Sequence, residues 1–344
     1  MLLNTDLIDP ADLTGYVRGA LSDLERNRFR LARYLPNRLV NDLIARFTRG
    51  GEGLSEAATF RAYDAESPIG SRPALSRVTQ ELPPISRKIR LGEYDQLRQR
   101  NADDEVADAI LRDAVRMTRQ VAARMELARG EALYKGKIQL NENGVIVDVD
   151  YGRAAGHTVT AATAWTDGAN ADPIADLVSW VDTYIAANGD PPGVILTSTR
   201  VLRLIGAAAK VRNLGSTLAG TPTNLAAAAV SAILANYNLP PIETYDAQVN
   251  VNGAATRVIP DDRLILLPAA VDADDFDGTD LGATMWGTTA EALQPNYGVE
   301  EGDEPGIVAG AYTTDDPVAV WTKAAAIGLP VLANPNLSFA ADVA

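Results

Sequence analysis

Apolar positions recur along this chain with two different periods, and the places where the period changes divide it. In residues 1–50, Leu13, Val17, Leu21 and Leu24 fall on one helical face, while Asp9-Pro10 and Leu35-Pro36 interrupt the pattern. Short amphipathic helices are predicted there. Gly50-Gly51-Glu52-Gly53 then breaks the chain. Residues 54–91 change to a strand period. Two extended segments, 57–64 and 75–91, flank the turn-rich stretch Ser67-Pro68-Ile69-Gly70-Ser71-Arg72-Pro73. Ile85, Ile89 and Leu91 alternate with Ser86, Lys88 and Arg90, as in a half-buried strand. Such a hairpin reaches about 30 Å at roughly 3.3 Å per residue. It has too few apolar groups for a core of its own, and an isolated hairpin is marginal in water. It is therefore expected to lie on a neighbouring molecule, the plainer alternative being its own domain.

The most regular segment follows. Val106, Ile110, Ala114, Met117, Val121, Met125, Ala128 and Ala132 are spaced 4-4-3-4-4-3-4, one continuous helical stripe. Acidic residues 103–105 at its start and Lys135 and Lys137 near its end suit the helix dipole, and Gly136 supplies a stop. A helix from Asp103 to Lys135 is about 50 Å long, far beyond the usual three or four turns. A hairpin is predicted next, 137–140 and 145–149 around Asn143-Gly144. After residue 150 an α/β rhythm sets in: a helix between Asp172-Pro173 and Asn188-Gly189, a strand at 194–197, a helix capped by Ser198, and an alanine-rich helix at 224–236. Strands are expected at 248–251, 256–259 and 263–267, and again from Gly282 onward through 318–326 and 329–331.

Composition narrows the function. At 344 residues and 47% hydrophobic, the chain has material for a large core, and no apolar run approaches the roughly 20 residues of a membrane helix. The N-terminus lacks the pattern of a signal peptide. Cysteine is absent and His157 is the single histidine, which removes thiolate and paired-histidine metal sites and disfavours ordinary acid–base catalysis. His157 reads as a loop histidine. The net charge of −14 is uneven: residues 1–130 hold 21 basic against 19 acidic side chains, and the remainder 10 against 26. An arginine-rich front and an acidic back could pair between copies of one chain.

Three apparent motifs fail. Gly130 to Lys137 has the glycine spacing of a phosphate loop wrong by one, and Ile138 stands where a Ser or Thr would hold magnesium. Asp272-Ala273-Asp274-Asp275-Phe276-Asp277-Gly278 fits no EF-hand frame and reads as a solvated acidic loop. Arg112, Arg116 and Arg119 share a helix face, where pairing of Arg112 with Asp108 is the plain account and phosphate contact the alternative. No catalytic residue, cofactor or metal site is assigned.

Four stretches in this order resemble the lambda-type major capsid protein family of tailed phages, which has the Hong Kong 97 phage capsid fold. They are Ile85–Tyr94, the helix ending Arg124-Met125-Glu126-Leu127-Ala128, Leu133 through Gly152, and Gly328-Leu329-Pro330-Val331 with Asn334-Pro335. The resemblance implies an α+β fold with an N-terminal arm (1–50), an extended loop (51–92), a peripheral domain carrying a spine helix (93–150 and 283–344) and an inserted α/β axial domain (151–282). It implies a structural, non-enzymatic subunit that forms hexamers and pentamers of an icosahedral shell around double-stranded DNA. Arg61, Tyr63, Ile69, Arg72, Arg77, Arg87 and Lys88 are the expected assembly contacts. Further partners would be a separate scaffolding protein, a portal, a decoration protein and DNA held by weak nonspecific contact, with no membrane. The chain would be made in the bacterial cytoplasm and end in the virion capsid. An encapsulin-like compartment shell, or less readily a soluble α/β enzyme, is the alternative. Some relatives weld subunits through a loop lysine. Of the five lysines here only Lys88 lies in the loop, at its base, so no such crosslink is expected.

Overall fold

The computed structural model describes residues 3, 8–50, 76–99, 103–216, 220–300 and 302–344. Helix α1 (Pro10–Asn27) begins at Asp9, whose carboxylate accepts from the Ala11 amide, and buries Leu13, Val17 and Leu21 as its spacing predicts. The rest of the arm differs from expectation. Within residues 37–49 lie strands β1 (Asn37–Leu39), held by parallel pairing with residues 284–286, and β2 (Ile44–Arg49), in which Arg46 faces outward between the buried Ala45 and Phe47. Strands β3 (Ser76–Glu81) and β4 (Pro84–Gly92) follow, then α2 (Glu93–Gln99) and α3 (Asp103–Lys135).

Helix α3 has the predicted bounds, and its stripe from Ile110 through Met117, Val121 and Met125 to Ala132 is buried. Gly136 ends it at φ 71°, and Arg153 donates to the terminal carbonyls of Leu133 and Tyr134 at 2.6 and 2.8 Å. Burial lowers the Arg153 pKa to about 10. Gly130, inside the false phosphate loop, is a packing residue: a β-carbon there would overlap the Val258 carbonyl and lie 2.8 Å from its Cγ1.

Strands β5 (Lys137–Glu142) and β6 (Val145–Asp150) form the predicted hairpin, with Asn143 and Gly144 both at positive φ. Next come β7 (Thr158–Thr160), α4 (Pro173–Asn188), β8 (Val194–Thr197), α5 (Thr199–Ala207), α6 (Ala209–Leu214) and α7 (Ala227–Asn236). Asp172 and Ser198 cap α4 and α5. The chain continues with β9 (Ile242–Thr244), the ribbon β10 (Gln248–Val251) and β11 (Ala254–Arg257), then β12 (Arg263–Leu267). β13 (Gly282–Gly287), β14 (Val308–Asp315), β15 (Val318–Leu332) and β16 (Phe339–Asp342) complete it.

Two sheets organise these elements. In the first, β15 is central: it pairs antiparallel with β14 and β13 on one side and with all nine residues of β4 on the other, and β1 runs parallel outside β13. Residues 84–92 therefore belong to the subunit's own sheet. This corrects the expectation that the whole 54–91 hairpin rests on another molecule. The predicted strand 75–91 breaks at Leu82-Pro83, and β3 pairs with β2; the predicted strand 57–64 lies outside the described residues. The second sheet runs β7-β16-β12-β8-β9. It takes its strand β16 from the C-terminus, so residues 339–342 leave the 283–344 segment assigned to the peripheral domain.

The sheets share packing. Along β12, Leu264 and Leu266 point into a core with Trp165, Leu177 and Phe339, whereas Ile265 and Leu267 point into the core around α3. The second sheet thus has helices on one face and the spine helix on the other.

Candidate assembly surfaces

One buried ionic cluster fixes the elements around α3 relative to one another. Arg129 on α3 is fully buried. Its guanidinium lies 2.7 Å from Glu25 of α1 and 3.4 Å from Glu126, one turn back on α3. It also donates to Asn37 Oδ1 and Thr284 Oγ1, each at 2.8 Å. Glu126 accepts from the Leu31 amide at 2.9 Å and from the Tyr245 hydroxyl. Asn37 donates to Glu25 and accepts from the Trp286 indole. Arg129 therefore ties α1, β1, α3 and β13 together, and Glu126 adds the loop after β9. Two carboxylates surround one guanidinium, so burial outweighs the ion pair and raises the Glu126 pKa, while Glu25 and Glu126 overcome the lowering effect of burial on Arg129 and keep it charged. Neither acid was singled out from sequence. The signal was present, since Glu126 and Arg129 sit among Met125, Ala128 and Ala132 on the apolar stripe.

Of the expected assembly residues, Arg77, Arg87 and Lys88 fall among the described ones. Arg61, Tyr63, Ile69 and Arg72 lie outside the described residues. Arg77 is exposed on β3, in register with Thr48. Arg87 and Lys88 are exposed on opposite faces of β4. The Lys88 ammonium lies 4.6 Å from the centroid of the Trp321 ring on the sheet's outer side. Arg87 points the other way, into a groove of about 1020 Å³ between β4, α3 and the hairpin tips β5–β6 and β10–β11. Arg28, Arg116, Arg119 and Arg124 share that groove. Arg116 pairs with Asp113 at 3.5 Å, not through the Asp108–Arg112 contact expected of this face, and Arg124 pairs with Glu142 at 3.0 Å.

His157 is buried, with its ring 5.5 Å from Phe339 and 6.3 Å from Tyr184, and desolvation lowers its pKa. It packs. Among the described residues no cluster of three His, Asp or Glu side chains is placed to hold a metal ion.

The family model for phage major capsid protein E matches residues 50–343, a span that holds the loop base, the spine helix and every strand of the two sheets except β1. The chain belongs to the phage major capsid protein E family. Its role is structural, as a subunit of a phage capsid. No curated protein matches the sequence. Among solved structures, a prophage capsid protein of E. coli CFT073 aligns over 98% of this chain and 99% of its own length, at TM-score 0.65 and 15% identity. A phage-related protein from Bordetella bronchiseptica RB50 aligns over 99% and 97%, at TM-score 0.61 and 13% identity. Both likenesses are of fold. They extend over nearly the whole of each chain.

Proposed function

We propose that this family member is the major head subunit, which forms the hexamers and pentamers of an icosahedral shell enclosing double-stranded DNA. Residues 1–50 act as its arm, 51–92 as its extended loop, 93–150 with 283–338 as the peripheral domain, and 151–282 with the C-terminal strand as the axial domain. The loop residues Arg61, Tyr63, Ile69, Arg72 and Arg77 reach a neighbouring subunit from a base that β4 anchors. Scaffolding protein and portal are separate chains, and a decoration protein reinforces the shell from outside. Contact with DNA is weak and nonspecific, in keeping with a net charge of −14. Synthesis takes place in the host cytoplasm.

The family match over residues 50–343 carries this reading. The test is electron microscopy of the chain expressed alone and with its neighbouring gene products. Closed shells of uniform size, with DNA inside particles from infected cells, are expected. A persistent monomer or dimer would refute it, and enzyme cargo in place of DNA would favour a storage compartment.

A further inference from the structure

The arginine groove has no use within the monomer. Five arginines line it against the single acid Glu142. Among the described residues Arg28, Arg87 and Arg119 have no ion-pair partner. Between the guanidiniums the walls are apolar and only partly covered, formed by Ile85, Leu127, Leu140 and Val251. With Arg116 held by Asp113 and Arg124 by Glu142, three uncompensated guanidiniums remain around an open groove; they raise the energy of the free monomer, and the arrangement becomes favourable once an anionic surface fills it.

The same chain carries a matching surface. Residues 272–280 hold five aspartates in nine positions. All five are exposed except for loose contacts of Asp274, 3.7 Å from Arg26 and 3.5 Å from Asn37. The loop is pinned at its root and free at its charges. The Asn37 amide donates to the Ala273 carbonyl at 2.6 Å, the Val271 amide to Arg33 at 2.9 Å, and Phe276 packs inward beneath the Arg38 guanidinium at 4.8 Å. Ile327 of β15 pairs with Pro84 on one side and Gly287 on the other, so β4 and β13 flank opposite sides of β15, with β1 beyond β13. The groove sits at the β4 edge and the aspartate loop at the β1 edge. A groove and its complement on opposite edges of one sheet make a head-to-tail contact, the kind that closes rings.

We propose that the arginine groove of one subunit receives the aspartate loop, residues 272–280, of a second copy of the chain. The inference rests on the shell-subunit reading above and names one contact within it. A second copy fits better than a nucleic acid. The walls are partly apolar, which a phosphate backbone does not use, and a chain of net charge −14 has little overall attraction for a polyanion.

The experiment compares wild type, Arg87→Glu with Arg119→Glu, Asp275→Arg with Asp277→Arg, and all four changes in one chain. Sedimentation velocity and electron microscopy read assembly, circular dichroism reads folding, and retention of plasmid DNA is measured in parallel. Each double variant should fold and associate about tenfold more weakly, since several exposed charge pairs of up to about 1 kcal/mol are inverted. The quadruple variant should recover to within about threefold of wild type. Double variants that assemble normally would overturn the contact, as would a quadruple variant no better than its parents. Normal assembly with DNA retention lost only in the arginine variant would reassign the groove to nucleic acid. If wild type itself never associates, the shell reading has failed, and not this contact alone.

Discussion

Replacing Arg129 by methionine tests whether the buried cluster holds the subunit together. The side chain is fully buried, and its removal leaves Glu25 and Glu126 without their cation, Thr284 Oγ1 without its donor, and Asn37 Oδ1 with the Trp286 indole alone. Breaking a buried ionic group by deleting one partner costs about 3–5 kcal/mol. For a chain of 344 residues, with an unfolding entropy near 2.1 cal/mol/K per residue, that lowers Tm by about 4–7 °C. Adding Glu25→Gln and Glu126→Gln removes the stranded charges and should restore most of the loss. Glu126 also predicts a pH signature. Its folded pKa is raised above 4.5, so the folded state keeps a proton that the unfolded chain releases. The stabilisation from that proton is complete below 4.5 and is lost as pH rises from there through the folded value. Glu126→Gln should therefore gain on wild type as pH increases across this window. Thermal melts of the unassembled subunit from pH 4 to 8 provide the assay. A Tm loss below about 2 °C for Arg129→Met, or a triple variant no more stable than the single one, would refute the argument.

The remaining expectations concern the loop, one close contact and the mature particle. Deleting Ser67–Arg72 should leave far-ultraviolet circular dichroism unchanged and abolish shells; an unfolded product would mean that the segment belongs to the subunit core. Gly130→Ala pushes a methyl into the Val258 carbonyl and should cost about 1–3 kcal/mol in urea unfolding, whereas Gly144→Asn in the β5–β6 turn, with no neighbour within 4 Å, should cost far less. A denaturing gel of mature particles should show one band near 36.5 kDa, because Lys88 sits at the base of the loop over Trp321; a covalent ladder would contradict this.

Legibility in the sequence followed how local the stabilising contacts are. Helix α3 could be bounded to the residue because its burial repeats every three to four positions over 33 residues. The Asn143-Gly144 turn was readable because few dipeptides adopt positive φ twice. β1 and β2 were mistaken for helix: three and six residues are too few for a period to emerge, and their partners are β13 and β3. The alternation in β4 identified a strand but could not identify its sheet, since Ile85 pairs with Ala326 across more than two hundred residues. The same separation hid β16. Of the expected assembly residues, Arg87 reaches the groove and Lys88 faces away from it, a distinction set by strand parity and the position of α3 together.

The sharing of β12 between two cores constrains how this subunit can change shape. Hinging the second sheet away from α3 would expose Val194, Leu196, Ile265 and Leu267, all buried in the spine-helix core. At about 1.5–3 kcal/mol for each large apolar side chain, that opening costs roughly 6–12 kcal/mol, comparable to the whole stability of a domain. The Tyr245–Glu126 hydrogen bond and the Gly130–Val258 packing lie across the same boundary and add to the cost. In the shell proposed above, differences between fivefold and sixfold surroundings would therefore be absorbed at subunit contacts, where exposed charge pairs of up to about 1 kcal/mol each can be re-formed at a new angle. An arginine groove facing an aspartate loop suits that demand. Coulomb attraction among several mobile side chains tolerates a shift in register that interlocked apolar surfaces would not.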